Sequence, residues 1–346
     1  MKLVDRAGRL PDWLSKAKNL TEKVLFSSAV LKRNLLDYPF PNRADESELR
    51  DVQERIAVAL ELLPDVEGEF FSLDGMSNSE CELLRERFVR VNCEGEKSGR
   101  GAFLSEDEQV SVVVNGNDHL ELEVKIGGLN VKEAMKTAND IDNFIGSVVE
   151  FAFADGIGFL TADPFEAGLA MHLGVALHLP GIATSRQLKT LSEIVQSANL
   201  RITPVFQNGL GNVFRMESTR QLGASENEVY TAFTEVLDLV MDLEDDTRDM
   251  LLEKFPLEVE DRIRRSLAVL RSALILEFEE AIELLSMLRL GLSLGLLSGI
   301  TFRELDETMF LTQPQHLKTA FAENDKVNLD SVRAAFVRSR IQKVSG

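Results

Sequence analysis

At 346 residues, with 44% hydrophobic and 27% charged residues, the chain can bury a sizeable core and is expected to fold as one large domain plus a smaller one. Its formal charge of −19 at pH 7, from 57 acidic against 38 basic side chains, repels phosphate backbones and anionic lipid and so argues against nucleic acid and membrane as partners. The first residues hold no apolar run of signal-peptide length, and the two cysteines, Cys81 and Cys93, have neither CxxC spacing nor a nearby histidine, so the expectation is a cytoplasmic protein without a zinc site or a disulfide framework.

Residues 11–35 and 45–64 carry apolar positions at helical spacing, with the turn-forming Tyr38-Pro39-Phe40-Pro41-Asn42 between them. A helical start is expected. From 101 to 126 the pattern turns to strand: 109–114 is β-branched and 119–124 alternates, around Asn115-Gly116-Asn117-Asp118, which predicts an antiparallel hairpin. A helix over 130–150 follows, then 159–164, then an expected helix over about 168–177 that stops at His178-Leu179-Pro180. Residues 212–217 alternate like a strand ahead of the break at Gly223. Beyond it the texture is helical. Ser225 and Glu228 make an S-x-x-E capping box for a helix to about 246, and further helices are expected at 258–284, 286–297 and 329–342. The most apolar stretch, 273–299, is interrupted by Glu277, Glu279, Glu280, Glu283 and Arg289, which excludes a membrane span.

Three tempting patterns have plainer readings. Gly291-Leu292-Ser293-Leu294-Gly295 fits the G-x-S-x-G hydrolase elbow, but that elbow needs a strand before it and here a helix precedes. Asp242, Glu244, Asp245 and Asp246 lack the spacing of a calcium loop and read as a solvated helix end. His172 and His178, six residues apart, do not share a helical face as zinc-binding pairs do.

In order along the chain, 31–41 (LKRNLLDYPFP), 115–120 (NGNDHL), 158–164 (GFLTADP), 177–180 (LHLP) and 211–214 (GNVF) with Leu222-Gly223 resemble landmarks of the ATP:guanido phosphotransferases, in particular the bacterial protein-arginine kinases. In the tail, Glu260-Asp261, Arg265-Ser266, 284–286 and 288–291 resemble the helical domain of those protein kinases. The resemblance covers roughly 25–340. It implies an α+β fold, an antiparallel sheet flanked by helices, followed by an all-helical domain. The division expected is 1–245 for the phosphotransferase-like part and 246–346 for a helical dimerisation and phosphoarginine-binding-like part.

The departures point to a degenerate member. The family grips ATP phosphates with arginines, whose planar guanidinium groups make paired charged hydrogen bonds. Set against the S-x-R-x-R-x-x-R-N pattern, Arg33 is retained but Ser28 and Val30 stand where two of those arginines belong. Glu121 follows Asp118-His119-Leu120 where the resemblance expects an arginine, His172 replaces another, and Arg201 is the one candidate survivor of R-G-x-x-G-E. The resemblance therefore leaves Arg33, His119, His172 and Arg201 as nucleotide-side candidates. The carboxylate that draws a proton from the guanidinium falls at Gly116, beside Asn117, and the reactive cysteine at Asp163, so Asp163 and His172, both at degenerate positions, are the catalytic candidates that the resemblance leaves. Losing three or four charged contacts from one triphosphate site removes on the order of 5–10 kcal/mol.

In the family's phosphoarginine pocket, an R-D-x-x-R pattern, the first arginine falls at Leu329 while Asp330 and Arg333 remain. They read either as a reduced pocket or as an i, i+3 helix ion pair. The resemblance implies a homodimer and protein partners of the quality-control machinery, among them a zinc-binding adaptor or phosphoarginine-marked proteins. Three readings compete: a pseudokinase acting through protein or phosphoarginine binding, with no cofactor, a divergent kinase using MgATP, and a regulatory or assembly subunit that has lost all ligand binding.

Overall fold

The computed structural model describes residues 3–17, 20–95, 98–219, 222–321 and 328–346. Its strands are β1 (Val24–Arg33), β2 (Gly68–Ser72), β3 (Gly101–Ser105), β4 (Val110–Val114), β5 (Leu120–Gly127), the short pair β6 (Phe153–Ala154) and β7 (Gly158–Phe159), β8 (Met171–His178), β9 (Leu200–Pro204) and β10 (Val213–Ser218). The helices of the first part are α1 (Asp12–Ser15), α2 (Glu46–Glu61), α3 (Asn78–Glu86), α4 (Val131–Val148), α5 (Pro180–Thr184), α6 (Leu188–Ser197) and α7 (Glu226–Lys254). Those of the tail are α8 (Pro256–Ser272), α9 (Phe278–Ser293), α10 (Phe302–Leu311), α11 (Pro314–Phe321) and α12 (Leu329–Arg340).

Eight strands form one sheet in the order β2-β3-β4-β5-β1-β8-β10-β9, every neighbouring pair antiparallel. One face is apolar: Ala29, Leu31, Leu122, Val124, Leu173, Val175 and Met216 pack with side chains of α2, α4, α6 and α7 into the main core. The other face is largely charged, because successive strand residues point to opposite sides: Glu121, Glu123 and Lys125 alternate with Leu122 and Val124 along β5.

The expected β4–β5 hairpin, the helix over 130–150 and the strand at 212–217 are present. The helical start is half right, since α2 forms but 24–33 is β1; the helix over 168–177 is β8. Both errors have one cause. These are central strands, buried almost throughout on both sides, so their apolar residues do not alternate and a strand cannot be told from a helix by period.

The Ser225–Glu228 capping box is formed, and α7 runs on past 246 to Lys254. The single helix expected over 258–284 is broken between Ser272 and Phe278, and α9 continues through the break expected at 285. Glu244, read as part of a solvated helix end, is buried and accepts the backbone N–H groups of Gly181 and Ile182 at 2.8 and 2.9 Å. Cys81 and Cys93 form a disulfide, with Cα atoms 5.8 Å apart. That corrects the expectation of none: the turn after α3 folds Cys93 back over Cys81, which sequence spacing does not reveal. No helix among the described residues is long and apolar enough to cross a membrane.

Candidate functional site

The charged face gathers positions that are far apart in sequence. Val30 lies opposite both Glu123 and His172, Lys32 opposite Glu121, Ser28 opposite Lys125 and Gly174, and Glu217 opposite Gly174 and Arg201. Five positions where the family resemblance expects phosphate-holding groups, Ser28, Val30, Glu121, His172 and Arg201, thus share one face of neighbouring strands.

What occupies that face is an internal ion-pair network. Arg90, carried in on the segment after α3, pairs with Glu217, with Glu123 at 3.3 Å and with Glu121 at 3.7 Å. Arg215 reaches Glu123 at 3.2 Å and Glu217 at 3.6 Å, and Arg201 reaches Glu217 at 2.9 Å. Lys125 pairs with Glu123 at 3.2 Å and also donates to the Phe88 carbonyl at 3.1 Å. Lys32 pairs with Glu166 at 2.5 Å. Each of these five cations therefore already faces a carboxylate of the chain itself.

Electrostatics keep the two central carboxylates ionised. Burial would raise the Glu123 carboxyl, but the charges of Lys125, Arg90 and Arg215 outweigh it and hold it down to about 2. The same contest, burial against Arg90, Arg215 and Arg201, leaves Glu217 well below the usual carboxylate range. Glu121, at the margin of the network, is pushed up by burial, with Arg90 offsetting only part.

A cleft of about 650 Å³ opens at the edge of this face, with Lys32, Glu121, Asp163, Glu166 and Arg201 in its lining beside the 115–118 loop. The loop is pinned: Asn115 Nδ2 donates to the Leu49 and Gly99 carbonyls at 2.7 and 2.6 Å, and Asp118 Oδ1 accepts from Asn34 Nδ2 and the Ala162 N–H at 2.6 and 2.7 Å. Gly116 and Asn117 bring no carboxylate into the cleft. Asp163 does line it, but its Oδ1 accepts the Phe165 N–H at 3.0 Å, capping a 3-10 turn.

The other candidates divide. Arg201 lies at the cleft mouth, its side chain 41% exposed. His172 is buried on the charged face; its Nδ1 meets the Ser218 carbonyl at 2.8 Å, so Nδ1 carries the proton, and Nε2 lies 3.6 Å from Glu166. Burial, then the Lys32 charge, lowers its pKa. Arg33 points away from the cleft. It is buried, holds Asp142 at 2.8 Å and stacks 3.5 Å above the Phe159 ring. His119 takes the Leu35 N–H on Nδ1 at 3.1 Å and gives its Nε2 proton to the Pro39 carbonyl at 3.0 Å. It ties the 115–118 loop to 35–39.

Asp330 and Arg333 meet at 2.5 Å on α12, far from this face in the fold's tail. Arg333 is buried, and its Nε and Nη1 donate to the Thr312 and Leu276 carbonyls, both at 2.9 Å. Sequence reasoning missed Arg90, Glu123, Lys125, Glu166, Arg215 and Glu217. Charges at every second position of β5 and β10 were the available signal, since a charge repeated on one face of a strand demands a partner there. Among the described residues no group of His, Cys, Asp and Glu is placed to hold a metal.

Two family models match the chain: ATP:guanido phosphotransferase, C-terminal catalytic domain, over residues 51–247, and protein-arginine kinase McsB C-terminal domain over 256–346. A protein-arginine kinase of Halothermothrix orenii is 28% identical over 337 residues, 96% of this chain and 97% of that one. One of Bacillus cereus (strain AH187) is 29% identical over 338 residues, 95% of each. Among solved structures, lombricine kinase superposes with a TM-score of 0.58 at 17% identity, over 70% of this chain and 75% of its own. The duplicated taurocyamine kinase of Schistosoma mansoni, with bound transition-state-analogue components, gives 0.59 at 20%, over 72% of this chain and 38% of its own. At such identities the structural likeness concerns the fold.

Proposed function

We propose that this chain, which belongs to the ATP:guanido phosphotransferase family and carries the helical tail of the protein-arginine kinases, works as a pseudokinase that acts through protein binding. One observation carries the reading. On the face where relatives need free arginines, Arg90, Arg201, Arg215, Lys32 and Lys125 are each paired with Glu121, Glu123, Glu166 or Glu217. A nucleoside triphosphate entering there meets cations already neutralised by the chain's own carboxylates, and to recruit any of those guanidinium groups it must strip a buried carboxylate of its partner. The absence of a carboxylate at Gly116 supports the same reading, because nothing at that position can take the proton from an attacking guanidinium.

Within the protein-binding reading, phosphoarginine recognition at Asp330 and Arg333 is the less favoured form, since two of the guanidinium's nitrogens are committed to backbone carbonyls. A homodimer through the helical tail and a zinc-binding adaptor are the partners this reading inherits from the resemblance. A divergent kinase is the second reading, and Arg201 favours it: the side chain is open at the cleft mouth and held on one side only.

The discriminating assay is incubation with MgATP and an arginine-rich protein substrate, followed by phosphorus NMR for the acid-labile phosphorus–nitrogen bond. The pseudokinase reading expects no phosphoarginine above a control that holds MgATP and the substrate but not this chain. Accumulation that scales with protein concentration and is lost in Arg201→Ala would support the divergent kinase instead.

A further inference from the structure

Beside the cleft mouth lies a surface with an unusual charge distribution. The segments 34–42 and 146–166 contain Asp37, Glu150, Asp155, Asp163 and Glu166 and not one lysine or arginine. Backbone pairing brings the two together: Leu35 bridges to Phe151, the Leu36 N–H reaches the Glu150 carbonyl at 3.0 Å and the Ala152 N–H reaches the Asn34 carbonyl at 2.7 Å. The β6–β7 hairpin stands on this base, with Phe153 paired to Phe159 and their rings 5.4 Å apart.

Large apolar side chains project from it. Leu36 is 48% exposed, Val148 41%, Phe153 54%, Ile157 47% and, on the turn bordering the cleft, Phe165 65%. They are not presented on a loose loop, because Arg33 stacks beneath Phe159 while holding Asp142. The C-terminus of α4 ends at the same place with no basic residue in its last turn, adding the negative end of a helix dipole to Glu150. Three of the cations nearby are committed, Arg33 to Asp142, Lys32 to Glu166, and Arg55 to Asp51 beside the Tyr38 ring, while the exposed Arg43 follows directly after loop 34–42.

We propose that the β6–β7 hairpin with loop 34–42 is a docking surface for a cationic polypeptide segment that carries apolar anchors. Aliphatic or aromatic anchors would cover Leu36, Phe153 and Ile157, and lysine or arginine side chains would answer Asp37, Glu150 and Asp155. The charge selects against the other occupants. Anionic lipid is repelled, and a second copy would set Asp37, Glu150 and Asp155 against carboxylates of the same sign in a chain of net charge −19. This inference names a partner chemistry for the protein-binding reading and rests on it. The two can fail separately, because the phosphorylation assay does not involve the hairpin.

The test is a calorimetric titration of the full chain with two synthetic peptides of one length, the first built of arginine, lysine, leucine and phenylalanine, the second with glutamate in place of every cation. The cationic peptide is expected to bind saturably and the anionic one not at all. The paired change Glu150→Lys with Asp155→Lys, and separately Phe153→Ser, should each weaken binding by about tenfold or more, and added salt should weaken it further. Both variants alter exposed residues, and a melting curve checks that they fold. Equal binding of the two peptides, or unchanged affinity in both variants, overturns the proposal. So does a dimer in light scattering that Phe153→Ser abolishes, which would make a second copy the occupant.

Discussion

Three guanidinium groups converge on Glu217, those of Arg90, Arg201 and Arg215, so with Glu123 this side chain sets the charge balance of the face. Glu217→Gln keeps the shape and removes the charge. Breaking a buried pair by taking away one partner costs about 3–5 kcal/mol, because the opposite charge is left unpaired in a poorly solvated site. Urea denaturation of Glu217→Gln should show a loss of that size, and a loss below about 1 kcal/mol would mean the network is solvated and the face open. At this scale the sequence was informative about what is missing: Ser28, Val30 and Gly116 are uncharged wherever they sit. It was silent about what replaces the missing groups, because Arg90 comes from an irregular segment and meets Glu123 and Glu217 only through the tertiary fold.

At the level of elements, the landmarks of the resemblance serve more often as joints than as ligands. His119 fastens the 115–118 loop to 35–39, and His178 at the end of β8 meets Ser286 Oγ of α9 at 2.8 Å, where Asn212 Nδ2 also donates at 3.1 Å. Such joints need neutral imidazole. Burial lowers the His119 pKa to about 4 from the ordinary 6.5, the Pro39 carbonyl offsetting only a little. A histidine depressed in the folded state contributes stability that is complete above pH 6.5 and lost as pH falls toward 4, since the unfolded chain takes the proton and the folded one does not. The stability advantage of the wild type over His119→Gln should therefore be constant above pH 6.5 and shrink by up to about 3 kcal/mol on acidification to pH 4, as measured by urea melts across that range. An advantage independent of pH would place His119 in contact with solvent.

The same scale explains which elements could be read in advance. The β4–β5 hairpin and α7 have clean periods and a turn or a capping box to mark them, whereas β1 and β8, the two middle strands, have neither, because both of their faces are covered. Thr301 and Glu304 form a capping box for α10, a signal of the same kind that was present in the sequence and not used.

For the whole molecule, the phosphotransferase-like part and the helical tail are tied by buried polar contacts. Arg289 of α9 holds Asp306 at 2.8 Å and donates to the Glu22 carbonyl ahead of β1. The Gly211 N–H donates to Glu283 at 2.9 Å. His316 of α11 lies 3.1 Å from Arg87 and 3.0 Å from Glu86, both near the end of α3. Because these groups would be left buried and unpaired if the tail came away, the chain should unfold in one calorimetric transition. Two separated transitions would show that the tail is an independent unit. The overall architecture was legible through the order of the landmarks, and the neutral face was not, because it depends on which strands are neighbours.

That face, neutralised by its own carboxylates, should no longer admit a nucleotide. Calorimetric titration of the purified chain with MgATP, beside a protein-arginine kinase as positive control, tests this directly. No saturable heat up to millimolar nucleotide is the predicted result, and saturable binding in the micromolar range would contradict it.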